Sequence, residues 1–74
     1  MSMETIHLDG MITLGKFLKY KNIIGTGGEA KWFLSEHEVF LNGEAENRRG
    51  KKLYDGDELI IKDVGEYKFK IPVQ

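Results

Sequence analysis

The sequence predicts a small α+β domain with the element order β-α-α-β-β-β-β. Three observations predict this class. The chain has 74 residues, 41% of them apolar, which suits one small domain over residues 1–74 with a single core. Between residues 14 and 34 the apolar side chains recur every three or four positions, as in helices. From Glu38 onward they alternate with polar side chains, as in strands.

The sequence predicts one strand and two helices in the first part of the chain. Residues 4–8 alternate weakly and end at the turn signal Asp9-Gly10. Thr13 offers a hydroxyl N-cap for the first helix, and the glycine-rich segment 25–28 ends that helix and leads into the second. Apolar residues at i, i+3 and i+4 form the core face of each helix: Leu14, Phe17 and Leu18 in the first, and Ala30, Phe33 and Leu34 in the second.

The second half predicts four strands joined by turns. A strand at residues 39–41 meets Asn42-Gly43, a strong type I′ turn signal, and residues 44–50 form a polar hairpin arm that loosens into a loop. The remaining elements follow in order: a turn at Asp55-Gly56-Asp57, a strand at residues 58–62, a turn that begins at Asp63, and a C-terminal strand at residues 66–73 that completes the sheet.

The composition excludes several classes of function. The chain has no Cys, which removes disulfides, thiolate zinc sites and cysteine nucleophiles. Its two histidines, His7 and His37, lie outside any nucleophile or metal-ligand motif, so we expect a non-enzymatic protein with no catalytic residue, metal or cofactor. No apolar run approaches the ~20 residues of a membrane span, and residues 1–4 do not resemble a signal peptide. We therefore expect a cytoplasmic protein.

Charge is distributed unevenly along the chain. The net charge is −1, but residues 16–52 carry eight Lys or Arg and five Glu, a balance of +3, while each flanking segment is acidic. A basic middle between acidic ends presents one positive face although the whole protein is near neutral. This asymmetry favours a nucleic-acid partner over a neutral one.

The glycine-rich segment has two interpretations. Amides exposed by Gly at a helix N-terminus bind phosphate, which makes Thr26, Gly27 and Gly28 candidate contacts. The segment matches neither the P-loop nor the dinucleotide-binding pattern. The alternative is a tight turn between the helices that uses Gly for positive φ.

The basic run Arg48-Arg49-Gly50-Lys51-Lys52 places four cations in five residues. Guanidinium groups suit phosphate oxygens, although a solvated loop is the simpler interpretation. Further cations, on the polar sides of the two helices, strengthen the phosphate-binding interpretation: Lys16, Lys19 and Lys31. Contacts of this kind set affinity and position but do not read base sequence.

Trp32 lies opposite the apolar face of the second helix, so the pattern predicts partial exposure. Two interpretations stay open. The indole packs under the N-terminal strand or the hairpin, or it remains accessible as a stacking platform for an unpaired base or as a contact for a protein partner.

Several segments together resemble the S-four domain, a small RNA-binding module named after a ribosomal small-subunit protein and also called the alpha-L motif. The resemblance covers residues 12–61 and is carried by Thr13–Leu18, Gly28–Lys31, Val39–Gly43 and Lys52–Asp57. Longer strings resemble the small stand-alone bacterial proteins of the YaaA/YbcJ type: Gly27–Val39, Asn42–Glu44 and Asn47–Gly50.

This resemblance implies two short helices packed on a small, bent, mostly antiparallel sheet, with RNA on the face formed by both helices and the following loop. The implied partner is structured RNA, either ribosomal or transfer RNA, with the ribosome or an assembly factor as a further partner. We expect a monomer without membrane contact. Resemblance and charge together indicate these RNA-binding residues: Lys16, Lys19, Thr26, Gly27, Gly28, Lys31, Arg48, Arg49, Lys51 and Lys52.

The chain departs from the family at two places that often touch RNA. The usual Arg-Leu-Asp that opens the first helix is Thr13-Leu14-Gly15, and the usual Ser-Arg before the second helix is Thr26-Gly27. This loss of charge shifts the expected contacts to the lysines, the glycine-rich backbone and the basic run. It also motivates an alternative function, a protein-interaction module that keeps the fold and has lost RNA binding.

Overall fold

The computed structural model describes residues 3–72, and helices and strands follow one another there in an α+β order. The elements are β1 (Glu4–His7), β2 (Ile12–Thr13), α1 (Leu14–Tyr20), α2 (Glu29–Glu36), β3 (Val39–Leu41), β4 (Glu44–Ala45), β5 (Lys52–Leu53), β6 (Glu58–Ile61) and β7 (Gly65–Lys70). The predicted fold class is confirmed. Two strands of two residues each, β2 and β5, were not predicted.

The main sheet has five strands in the order β1-β7-β6-β3-β4. β1 runs parallel to β7, with Ile6 opposite Phe69, and every other pair in this sheet is antiparallel. β2 and β5 form a separate antiparallel pair, with Ile12 opposite Leu53. The predicted, mostly antiparallel arrangement is therefore confirmed. The short pair escaped prediction because two residues carry no readable period.

The predicted faces of both helices form the core, as expected. Phe17 is at its centre and makes edge-on contacts with Tyr67 and Phe69, at centroid distances of 5.2 and 4.9 Å. α1 thus packs against the main sheet through Phe17. The buried apolar side chains are Ile6, Leu14, Phe17, Leu18, Ile24, Ala30, Phe33, Leu34, Val39, Leu41, Leu53, Leu59, Ile61, Tyr67, Phe69 and Ile71.

The hairpin between β3 and β4 has the predicted turn. Asn42 has φ of 53° and Gly43 has φ of 85°, so both central residues are left-handed, as a type I′ turn requires. The Asn42 side chain also donates to the Asp57 carboxylate at 3.0 Å, and its oxygen accepts from the Glu58 amide at 3.0 Å. These hydrogen bonds join the hairpin turn at Asn42-Gly43 to the turn at Asp55-Gly56-Asp57. Asp57 closes its own turn by accepting from the Tyr54 amide at 2.8 Å, which supports its assignment as a turn former.

Several predicted boundaries are wrong. The first helix ends at Tyr20, before the glycine-rich segment, because Asn22 adopts a left-handed φ of 58° that stops it. The C-terminal strand begins at Gly65 and ends at Lys70, earlier than predicted at both ends. Ile71 and Pro72 follow this strand, and Val73, the last residue of the predicted strand, lies outside the described residues.

Candidate nucleic-acid interface

The loop between β4 and β5 is held against the first turn of α1 by backbone hydrogen bonds. The Leu14 amide donates to the Lys51 carbonyl and the Gly15 amide donates to the Arg49 carbonyl, each at 2.8 Å. Thr13 adds the predicted side-chain cap, because its hydroxyl accepts from the Lys16 amide at 3.4 Å. These contacts occupy amides that a helix start otherwise leaves unpaired. The basic loop therefore has a defined position relative to α1.

Gly15 permits this close approach. A Cβ placed there would lie 3.2 Å from both the Cβ and the carbonyl oxygen of Arg49, and 3.5 Å from the Cβ of Ala30. Three segments meet at this point: the start of α1, the basic loop and α2. The aspartate usual in the S-four pattern would not fit here without displacing the loop.

A shallow depression lies where these three segments meet, and we call it the basic concavity. Its lining residues are Thr13, Gly15, Lys16, Lys19, Gly27, Ala30, Arg49 and Gly50. Three are cations and none is a carboxylate. Within residues 3–72, Lys16, Lys19 and Arg49 form no ion pair, and all three are exposed. The concavity therefore presents three solvated positive charges beside backbone that glycine leaves uncovered.

Arg48 does not share this environment. It donates to the Glu46 carboxylate from Nε at 2.9 Å, from Nη2 at 3.0 Å and from its own amide at 3.1 Å. The Glu46 side chain is only 10% exposed, and the pKa of this carboxyl falls from 4.5 to about 2, chiefly because the Arg48 side chain hydrogen-bonds to it. The charge of Arg48 is thus largely matched by a partner two residues earlier.

The basic run is split by the fold. Arg49 lines the basic concavity, whereas Arg48 and Lys51 line a separate polar depression that also contains Tyr54 and Asp57. Lys52 is exposed on β5, where it pairs with Thr13 of β2. A run that reads as one patch in the sequence therefore faces at least two directions.

The glycine-rich segment lies between the two helices. Gly27 lines the basic concavity, and contact of this segment with phosphate stays a prediction. The positive φ predicted for this segment is wrong. Among the glycines of residues 3–72, only Gly43 and Gly56 have positive φ, and Gly28 is right-handed at −67°. The Thr26 hydroxyl donates to the Glu29 carboxylate at 3.4 Å, so this carboxylate lies close to the start of α2.

Two α2 residues from the prediction remain accessible to solvent. Lys31 is exposed on α2, one residue after Ala30 of the concavity. Trp32 is 64% exposed, which confirms the exposure predicted from the helical pattern. The alternative in which the indole packs under a strand or the hairpin is wrong.

The structure gives His37 a structural role. Its amide donates to the Phe33 carbonyl at 2.9 Å, and its ring stacks on that of Phe33 with a centroid distance of 4.1 Å. Across residues 3–72, no group of three or more His, Asp or Glu side chains is placed to hold a metal ion. Over the same range, neither helix has the length and apolar character needed to cross a membrane.

Sequence reasoning missed the residues that shape the site rather than charge it. Gly15 has no side chain and so allows the basic loop to pack against α1. Glu46 forms an ion pair with Arg48, which does not line the basic concavity that Arg49 lines. The acid two positions before Arg48 was the available signal for the second effect. No local sequence pattern indicates the role of Gly15, because that role depends on its contact with Arg49, 34 positions away in the chain.

Comparison with known proteins gives two findings. Residues 6–70 match the family described as the S4 domain. The chain is also 60% identical over 57 residues to a Bacillus subtilis (strain 168) protein named "Probable ribosome maturation protein RlbA", an alignment that covers 77% of this chain and 80% of that protein.

Proposed function

We propose, from the premise that this chain belongs to the S4 domain family, that it binds structured RNA through the basic concavity and catalyses no reaction. The observation that carries the proposal is the convergence of Lys16, Lys19 and Arg49 on one surface without a lining carboxylate. Three unmatched charges from two separate segments attract a polyanion more strongly than the net charge of −1 suggests.

The mechanism we propose is docking on phosphates with recognition by shape. Lysine and arginine side chains neutralise phosphates and release their counterions, which supplies affinity without reading bases. Gly27 and Gly50 have no side chain to keep a sugar–phosphate backbone at a distance. Because the loop is hydrogen-bonded to α1, the backbone positions that carry the cations keep a fixed spacing, which suits a folded RNA better than a flexible strand.

Ribosomal RNA is the RNA class we propose, with transfer RNA as the alternative. The Bacillus relative is named as a probable ribosome maturation protein, and a small binder of folded ribosomal RNA suits such a process. We further propose that the chain acts in the cytoplasm as a monomeric single domain. Lys31 and Lys52 flank the docking surface in this proposal, while Arg48 and Lys51 contribute from the neighbouring depression.

The test is a titration of the full chain with fluorescently labelled fragments of bacterial ribosomal RNA at two salt concentrations. With about three to five phosphate contacts, log affinity should fall with log salt at a slope of roughly −2 to −4. Arg49→Glu should weaken binding strongly. Lys70→Glu is the matched control, because Lys70 is an exposed lysine at the end of β7, outside the basic concavity.

Equal effects of these two variants would contradict the proposed site. Absence of salt-dependent binding to folded ribosomal or transfer RNA would contradict the function, and would favour the alternative of a protein-interaction module.

A further inference from the structure

A tryptophan occupies the solvent side of α2 and is not used by the proposed RNA site. Trp32 is 64% exposed, while Ala30, Phe33 and Leu34 of the same helix are buried. The Ser35 hydroxyl donates to the Trp32 carbonyl at 2.7 Å, so the backbone here is held in place. Tryptophan is among the residues that are enriched as anchors in binding interfaces.

Two glutamates share the solvent side of α2 with this tryptophan. Glu29 lies three positions before Trp32 and Glu36 lies four positions after it, so both are its neighbours on the helix surface. Both are exposed, and within residues 3–72 neither forms an ion pair, although the Glu29 carboxylate accepts a hydrogen bond from the Thr26 hydroxyl at 3.4 Å. We call Glu29, Trp32 and Glu36 the acidic tryptophan face.

This face points away from the basic concavity. Ala30, which lines the concavity, precedes Trp32 by two positions, or about 200° around the helix axis. RNA held by Lys16, Lys19 and Arg49 therefore does not lie over the indole, and the two carboxylates repel phosphate there. An aromatic ring and two carboxylates both attract a positively charged group, so this face favours a cation.

We infer that the acidic tryptophan face binds an arginine-bearing segment of a basic protein. A guanidinium group stacks on the indole by a cation–π contact and on the same approach donates to a flanking carboxylate. Arginine suits the site better than lysine, because its planar group does both and is more weakly hydrated. The site lies on the opposite side of α2 from the RNA surface, so RNA and protein are held at the same time.

The test uses the full chain and a capped peptide of three arginines separated by glycines. Trp32 is the only tryptophan, so its emission reports the site directly. The arginine peptide should cause a saturable change in emission at low salt, and a lysine analogue should bind about two- to fivefold more weakly. A glutamate analogue should cause no change.

Variants then locate the contact, with binding followed by the anisotropy of a labelled peptide. The double variant Glu29→Gln, Glu36→Gln should lose about three- to tenfold in affinity, as two exposed ion pairs would. Trp32→Ala should lose about two- to fivefold, and Trp32→Phe less. Arg49→Glu should leave peptide binding intact, which separates this site from the RNA site.

Two results would overturn the inference. Peptide affinity that is unchanged in both the Trp32→Ala and the double glutamine variants would mean that the peptide binds elsewhere. Quenching of Trp32 by an RNA stem-loop, together with loss of RNA affinity in Trp32→Ala, would make the indole a base-stacking platform instead. Thermal unfolding of each variant confirms that the fold is retained.

Discussion

The amide of Gly15 donates a hydrogen bond of 2.8 Å to the carbonyl oxygen of Arg49, although the two residues lie far apart in the chain. Together with the hydrogen bond from the Leu14 amide to the Lys51 carbonyl, this contact holds the basic loop on the start of α1, so that Arg49 lines the same depression as Lys16 and Lys19. The position of the cations is thereby a property of the backbone. A flexible loop with the same charges would have to be ordered at a cost in entropy on binding.

We expect Gly15→Val to lower the free energy of unfolding by about 1–2 kcal/mol, because its Cβ would lie 3.2 Å from two Arg49 atoms and the loop must shift. Urea unfolding measures the change. Gly10→Val is the matched control, since nothing lies within 4 Å of a Cβ at Gly10. It should change stability by less than about 0.5 kcal/mol. A Gly15 variant as stable as this control would show that the loop yields freely.

Reversal of charge at the two adjacent arginines should have unequal effects on RNA affinity. Arg49→Glu should weaken binding about tenfold or more, because it removes a charge-assisted contact and adds repulsion. Arg48→Glu should weaken it by less than about threefold, because Glu46 already holds that guanidinium. Anisotropy titrations of the same labelled RNA give both numbers. A larger loss in the Arg48 variant would place the RNA in the depression beside Glu46.

Removal of both helix lysines should change the salt dependence of RNA binding. Lys16→Gln with Lys19→Gln deletes two of the cations that line the basic concavity. The slope of log affinity against log salt should become shallower by about 1.4 to 1.8. The pair Lys68→Gln and Lys70→Gln on β7 carries the same loss of charge and should leave the slope within error. Two equal reductions would indicate a diffuse effect of net charge without a localised site.

The ion pair of Glu46 predicts a stability difference that depends on pH. The pKa of Glu46 is lowered in the folded protein from 4.5 to about 2 by Arg48. The ion pair therefore contributes its full stabilisation at pH values above the pKa of Glu46 in the unfolded chain. This stabilisation is lost as the pH falls through the pKa of Glu46 in the folded protein. Glu46→Gln should cost about 1 kcal/mol at pH 7, since Arg48 itself is mostly solvated.

The difference between wild type and Glu46→Gln should shrink steadily between pH 4.5 and pH 2. Urea unfolding at pH 7, 4 and 2.5 follows it. Glu44→Gln, in the same hairpin arm, is the control, because Glu44 forms no ion pair within residues 3–72. A Glu46→Gln deficit that persists unchanged at pH 2.5 would mean that packing, and not charge, stabilises this position.

Local signals predicted the parts of the fold that depend on local physics. The spacing of Leu14, Phe17 and Leu18 gave the buried face of α1, and Asn42-Gly43 gave the type I′ turn. The pairing of β2 with β5 could not be found this way, because each strand has two residues and their partnership is set by the distant loop contact. The end of α1 was misplaced because Asn22 took the left-handed conformation expected of a glycine.

In the candidate site, too, features that depend on local sequence were easier to predict than features that depend on long-range contacts. Exposure of Trp32 follows from the pattern of one helix, and it was one of the two interpretations that the sequence left open. The loop conformation determines which surface each cation of the basic run lines. The sequence suggested one patch, whereas Arg48 and Arg49 line two separate depressions. The RNA-contacting roles of these residues stay predictions for the titrations above.

The parallel pairing of β1 with β7 has a consequence for synthesis of the chain. β7 lies between β1 and β6 in the main sheet, yet it comes last of the three from the ribosome. Until residues 65–70 have emerged, β1 has no neighbour in the sheet and β6 lacks one of its two neighbours. Phe17 also lacks Tyr67 and Phe69, the rings it packs against. The pairing of β1 with β7 joins residues from opposite ends of the chain, so the helices gain these core partners late in synthesis.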